Sequence, residues 1–148
     1  MSTKDYHKEL SGGCYCGLIR YRIKGEPNKV AFCHCESCRK ISGAPVTVAV
    51  MVSQEQLEFT NKQPRFFASS KQAQRGFCGK CGTPVCWTGI WHGNEQAFVY
   101  GGTLDDISRV KPDRHAFTNS RIPWLSVNNE LPGYDHSSPP GIIDSEKQ

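Results

Sequence analysis

Cys78-Gly79-Lys80-Cys81-Gly82 is a knuckle. Its two cysteines, three positions apart, bring both sulfurs to one side of a tight turn, and its glycines supply torsion angles that other residues avoid. Thiols this close are poorly placed to bridge one another, whereas the same spacing suits metal ligands. The reading extends outward. Cys14 and Cys16 stand at i and i+2, so an extended segment presents both on one face. Cys33-His34-Cys35-Glu36-Ser37-Cys38 adds a third group, in which Cys33 and Cys35 are related as on a strand and Cys35 and Cys38 as on one helical turn. Of the eight cysteines in 148 residues, Cys86 alone lies outside these clusters.

The ligand count then divides. Cys14 and Cys16 with Cys78 and Cys81 make four thiolates, the closed tetrahedral shell of a structural zinc. Residues 17–77 separate the two arms, so such a site staples the chain start to its second half, where a metal constrains the unfolded chain most. Cys33, Cys35 and Cys38 supply three thiolates and leave a fourth position to water or substrate, the pattern of a catalytic zinc. A second partition stays open, in which the triplet gains Cys86 or His34 as a fourth ligand. Cys86, inside Val85-Cys86-Trp87, reads as a buried inert thiol. Strand alternation aims His34 away from a metal held by its neighbours.

The rest of the composition narrows the function classes. Length fits one domain, and 22% charged with 37% hydrophobic residues excludes a disordered chain. The longest nearly apolar run, Ala44 to Val52, is far shorter than the roughly 20 residues of a membrane-spanning helix, so no membrane association is expected. Met1 to Ser11 is polar without an apolar stretch, which predicts no secretory leader and a cytoplasmic chain whose thiols stay reduced. The net charge is +4 and the longest basic run is Arg39-Lys40, too little positive charge to track phosphates, so no nucleic-acid partner is expected.

Residues 1–11 read as a flexible N-terminal tail, 12–136 as one zinc-binding domain, and 137–148, with Ser137-Ser138-Pro139-Pro140-Gly141, as a flexible C-terminal tail. Between the tails the pattern predicts short strands at Leu18–Lys24, Val46–Val52, Leu57–Thr60, Arg65–Ala68, Val85–Trp91, Gln96–Gly101 and His115–Thr118. Helix is expected only around Glu36–Ile41. Short strands punctuated by glycine, proline and metal knuckles predict a β-dominated fold with few short helices.

Gly12-Gly13-Cys14-Tyr15-Cys16-Gly17 with Arg20-Tyr21, then Cys33 to Lys40 with Ser42-Gly43-Ala44-Pro45, then Phe77 to Thr83, resemble in order the three cysteine motifs of the glutathione-dependent formaldehyde-activating enzyme (GFA) family, whose domain is shared with centromere protein V. Gly102-Thr103-Leu104-Asp105-Asp106, His115, Ser120, Pro123-Trp124 and Leu131-Pro132 also resemble later family residues. The resemblance spans Gly12 to Tyr134. It implies an Mss4-like β-rich fold with two zinc ions. One, structural, would sit on Cys14, Cys16, Cys78 and Cys81. The other, catalytic, would sit on Cys33, Cys35 and Cys38. It also implies a carbon–sulfur lyase that reversibly joins formaldehyde to glutathione as S-hydroxymethylglutathione.

Zinc with three thiolates carries a net charge of −1, and its open position favours a soft, deprotonated sulfur. A substrate thiol can bind there as thiolate, or the metal can polarise the aldehyde oxygen; the sequence does not choose. Arg39 and Lys40 directly follow the triplet and are candidates to balance its charge or to meet a substrate carboxylate. Arg75, Lys111, Arg114 and Arg121 have more diffuse claims. His115 reads as a structural histidine before a proton relay. Trp87, Trp91 and Trp124 read as core, and Asp105-Asp106 as a turn. Two other classes compete with a lyase. A zinc-stabilised binding module needs no exchangeable ligand at the triplet. A thiol redox protein predicts reversible cysteine pairs without metal.

Overall fold

The computed structural model describes residues 9–141. A small antiparallel sheet has the order β1 (Leu10–Gly13), β2 (Arg20–Ile23), β5 (Leu57–Phe59). A large sheet runs β10 (Arg114–Ala116), β3 (Lys29–Cys33), β4 (Thr47–Ser53), β9 (Asn94–Tyr100), β8 (Pro84–Trp91), β7 (Ala73–Phe77), β6 (Arg65–Ser70). β10 lies parallel to β3, and the other described pairs are antiparallel. The α-helix among the described residues, α1 (Glu36–Ser42), follows β3 directly. The fold is β-dominated, as the strand pattern predicts. Among the described residues no helix is long and apolar enough to cross a membrane.

Strand alternation divides the large sheet into two faces. Val50 and Val52 on β4, Val99 on β9 and Val85 on β8 point toward the small sheet, where they pack with Ile19, Tyr21 and Ile23. Each buried valine of this layer contributes on the order of 1.5–3 kcal/mol relative to exposure. Met51, Phe98 and Tyr100 occupy the opposite face together with Cys33 and Cys38. The first face is closed by the small sheet; the second carries α1 and a cavity.

Several expectations change. Leu10 and Ser11 belong to β1, where Leu10 pairs with Ile23, so order begins inside the expected tail; residues 1–8 lie outside the described residues. Ser138 is 2% exposed, and the Arg114 guanidinium, wholly buried, donates to the carbonyls of Pro139 (2.7 Å) and Gly141. The stretch 137–141 is therefore held against the sheet by backbone acceptors that its apolar-poor sequence did not reveal; residues 142–148 lie outside the described residues. Trp124, expected in the core, is 75% exposed, because it sits in a loop after the last strand. Trp87 and Trp91 are only half-buried and line the cavity. Asp105 does more than turn the chain: its carboxylate accepts from Arg20 (2.9 and 2.5 Å) and from the Ser11 hydroxyl (2.8 Å).

Candidate metal centres and the cavity beside one of them

Two sulfur clusters form. Cys14 directly follows β1 and Cys16 lies in the turn toward β2, while Cys78 and Cys81 occupy the turn after β7. All four sulfurs lie within 4.8 Å of one another, with Cys14 to Cys16 at 3.6 Å and Cys16 to Cys78 at 3.8 Å. Backbone amides aim at them: Ile19 N–H donates to Cys14 Sγ (3.2 Å), and those of Lys80 and Cys81 donate to Cys78 Sγ (both 3.4 Å). Gly82 closes the knuckle at φ 81°, the left-handed region, with its N–H on the Cys78 carbonyl. The cluster joins the small sheet to the large one.

The second cluster is local. Cys33 ends β3, Cys35 is the N-cap of α1, and Cys38 lies in the first turns of that helix. The Cys35 sulfur takes the capping role of an oxygen, accepting from Cys38 N–H at 3.3 Å. Cys33 Sγ is 3.4 Å from Cys35 Sγ and 3.7 Å from Cys38 Sγ. All eight cysteines are free thiols. The donor sets fit a thiophilic dication: convergent soft sulfurs, four in one cluster and three in the other, receive amide hydrogen bonds of the kind that stabilise thiolates.

Neither proposed fourth ligand joins the triplet's sulfurs. Cys86 is wholly buried in the core between the sheets, and burial pushes its thiol up to about 12. His34 points away from the sulfurs, as alternation requires. Its Nε2 shares a 2.8 Å hydrogen bond with His115 Nδ1, and His115 Nε2 donates to the Asn128 carbonyl at 2.9 Å. A neutral His115 that donates through Nε2 must accept at Nδ1, so the Nε2–H belongs to His34. His115 also stacks on Phe32, with ring centroids 5.1 Å apart, and reads as a structural histidine.

The cation against the triplet is Arg75, on β7. It is 7% exposed, and its Nη1 lies 3.7 Å from Cys38 Sγ and donates to Tyr100 Oη at 2.7 Å. Hydrogen bonds from Cys33 and Cys35, then the Arg75 charge, hold the Cys38 thiol well below its usual range. Arg39, the favoured candidate from sequence adjacency, instead donates to the Ser120 carbonyl (2.6 Å), and Lys40 is exposed. Adjacency in sequence misled because helical geometry turns residues 39 and 40 away from Cys38. Arg75 had only a diffuse claim, since β7 is polar and glycine-bearing and gives no strand signal. Lys29, which the sequence reading did not single out, lines the cavity that opens beside the triplet, a space of about 250 Å³.

A sequence model of the glutathione-dependent formaldehyde-activating enzyme family matches residues 9–120. An uncharacterized lyase of Schizosaccharomyces pombe is 29% identical over 121 residues, which cover 75% of this chain and 87% of the yeast protein. A Halomonas elongata protein with the provisional name glutathione-dependent formaldehyde-activating enzyme is 23% identical over 133 residues, covering 81% of this chain and 82% of that one. The crystal structure of a Rhodobacter sphaeroides protein superposes with a TM-score of 0.52 at 22% identity, over 69% of this chain and 91% of that one, and so shares the fold. Both cysteine clusters fall inside the matched residues, and the chain belongs to the glutathione-dependent formaldehyde-activating enzyme family.

Proposed function

We propose that the chain is a zinc-dependent carbon–sulfur lyase that makes and breaks the adduct of a small thiol with an aldehyde. Cys14, Cys16, Cys78 and Cys81 hold a structural zinc, and Cys33, Cys35 and Cys38 hold the catalytic one. The observation that carries this reading is the placement of the triplet: three sulfurs stand in the wall of a cavity beside a buried cation. Family membership supports it, as do the lyase and formaldehyde-activating names of the two relatives. Glutathione is the thiol in the family's name. Cysteines without a disulfide among them fit a reducing compartment, and we place the protein in the cytoplasm.

Zinc on three thiolates supplies one exchangeable position that lowers a bound thiol's pKa or polarises a carbonyl oxygen. The chain's own residues do the rest. Arg75 offsets the negative charge that gathers at Cys38, and Tyr100 holds the guanidinium in place. The largely apolar walls lower the local dielectric, which strengthens each charge interaction beside them. In the reaction the substrate sulfur attacks the carbonyl carbon and a C–S bond forms. The carbonyl π pair moves to oxygen, which takes up the proton that the thiol gave up. The reverse step returns both partners.

Metal-replete protein should contain two zinc ions per chain by elemental analysis. It should also speed the exchange between free thiol and its hydroxymethyl adduct, followed by exchange NMR with ¹³C-formaldehyde. Two bound zinc ions with no rate enhancement for any thiol would leave a metal-stabilised binding module in place of the enzyme.

A further inference from the structure

The cavity has two ends, and the proposed chemistry uses one. Lys29, Ala31 and Cys33 alternate along β3 and share one face, so Lys29 stands about 13 Å from Cys33 along the strand. Ala31 pairs with Ala49 on β4, and these two small side chains leave the floor open. The walls are aromatic: Trp87 stacks on Phe98 with ring centroids 5.6 Å apart, and Trp91 and Phe117 close the sides. A dry apolar cavity of about 150 Å³ already holds a benzene, so about 250 Å³ accommodates a ring with substituents.

The far end is built for an anion. Lys29 is 8% exposed. Its ammonium donates to the Ser138 carbonyl (3.0 Å) and hydroxyl (3.1 Å) and lies 5.5 Å from the Trp91 ring centroid. An ammonium has three donors, so one remains. Among the described residues no carboxylate forms an ion pair with it. The Trp91 indole N–H is buried and has no acceptor. A buried ammonium with no carboxylate partner and a buried indole N–H with no acceptor, on neighbouring cavity-lining residues, point to a ligand that supplies oxygens.

We propose that this cavity takes an aryl-sized apolar thiol or its aldehyde adduct carrying a carboxylate remote from the sulfur, held by Lys29 and Trp91. A zwitterionic peptide thiol would leave several amide and charged groups facing aromatic walls, at a cost that binding does not recover. This rests on the thiol-adduct reading and names its substrate class.

The test uses the full chain loaded with zinc, calorimetry, and the emission of Trp87 and Trp91 in a Trp124→Phe background. The probes are 4-(mercaptomethyl)benzoate, its methyl ester, 4-methylbenzoate and glutathione. The aryl thiol carboxylate should bind at least about ten-fold more tightly than its ester and than glutathione, near 1.4 kcal/mol. Lys29→Met should erase the gap between acid and ester. Ala49→Leu should weaken both aryl thiols about ten-fold with zinc content unchanged, and it decides the matter if Lys29→Met does not fold. Glutathione binding as tightly as the aryl thiol, with indifference to Ala49→Leu, would overturn the cavity assignment while leaving the thiol-adduct reading standing. Lys29-dependent binding of 4-methylbenzoate, with no gain from the thiol, would uphold the cavity assignment and sink the thiol reading.

Discussion

The Arg75 guanidinium lies 3.7 Å from the Cys38 sulfur while Tyr100 accepts its other contact at 2.7 Å. Neighbours of metal ligands typically change affinity or activity by about 10–100-fold when removed. Arg75→Met should therefore keep the fold and the triplet's metal but slow adduct exchange within that range, with Arg75→Lys recovering part of the loss. Chelator competition and NMR exchange rates measure the two effects separately. An unchanged rate in Arg75→Met would reduce Arg75 to a packing residue.

The two clusters should fail differently. Cys81→Ser removes a sulfur from a set that joins distant segments, and a structural zinc's binding free energy is largely folding free energy. Its unfolding midpoint should drop sharply. Cys35→Ser touches a set built from six neighbouring residues, so it should stay folded, lose one zinc and lose adduct exchange. Thermal unfolding and zinc content of the two variants, side by side, provide the comparison. Equal destabilisation would make the triplet structural.

Two glycines test backbone against sterics. At Gly82 an added Cβ meets nothing within 4 Å, so only the left-handed conformation resists Gly82→Ala, at about 1–2 kcal/mol. At Gly12 the new Cβ would come within 2.3 Å of the Thr103 carbonyl and 2.4 Å of the Tyr21 hydroxyl. Gly12→Ala should cost more, because two sheet elements must part. Denaturant titration should rank them in that order, and the reverse order would contradict the close approach at Gly12.

Burial, then the positive charge of Arg114, lowers the Lys29 ammonium to about 8; Asp113 and Cys33 pull weakly the other way. A lysine whose folded pKa is depressed binds fewer protons than it does unfolded between about 8 and its usual value near 10.4. Its burial penalty is therefore relieved, and its contribution to stability rises, as pH climbs through that window. Carboxylate binding runs the other way. Affinity for 4-methylbenzoate should hold to about pH 7 and fall as pH passes 8, while affinity for neutral p-xylene stays flat. Calorimetry between pH 6 and 9.5 reads this directly, and a flat profile for the acid would remove Lys29 as its partner.

Strands with β-branched or alternating residues were legible in the sequence: β2, β4, β5, β8 and β9 lie within a few residues of their patterns. β1, β3 and β7 were not. Leu10-Ser11-Gly12-Gly13 looks like a linker, β3 hides its alternation behind a buried lysine and a ligand cysteine, and β7 carries an arginine and a glycine. Those unread strands bring in Lys29 and Arg75, which is why the cysteines could be grouped by spacing and the cations could not be placed. Metal spacing is a local property. The partner of a buried charge depends on which strands become neighbours, and strand order is set by tertiary pairing.

The two sulfur clusters also differ in when a growing chain can complete them. All three sulfurs of the triplet exist once residue 38 has been added, and they need only β3 and the first turns of α1. The four-sulfur set waits for Cys81, and at the usual 5–20 residues per second residues 39–81 take roughly 2–9 s to synthesise. Until Cys81 is added Cys14 and Cys16 form only half of their site, and once they emerge on the nascent chain they are open to oxidation or to metal capture by another polypeptide. Slow translation through this stretch would lengthen that exposure, and fast elongation toward the second knuckle would shorten it.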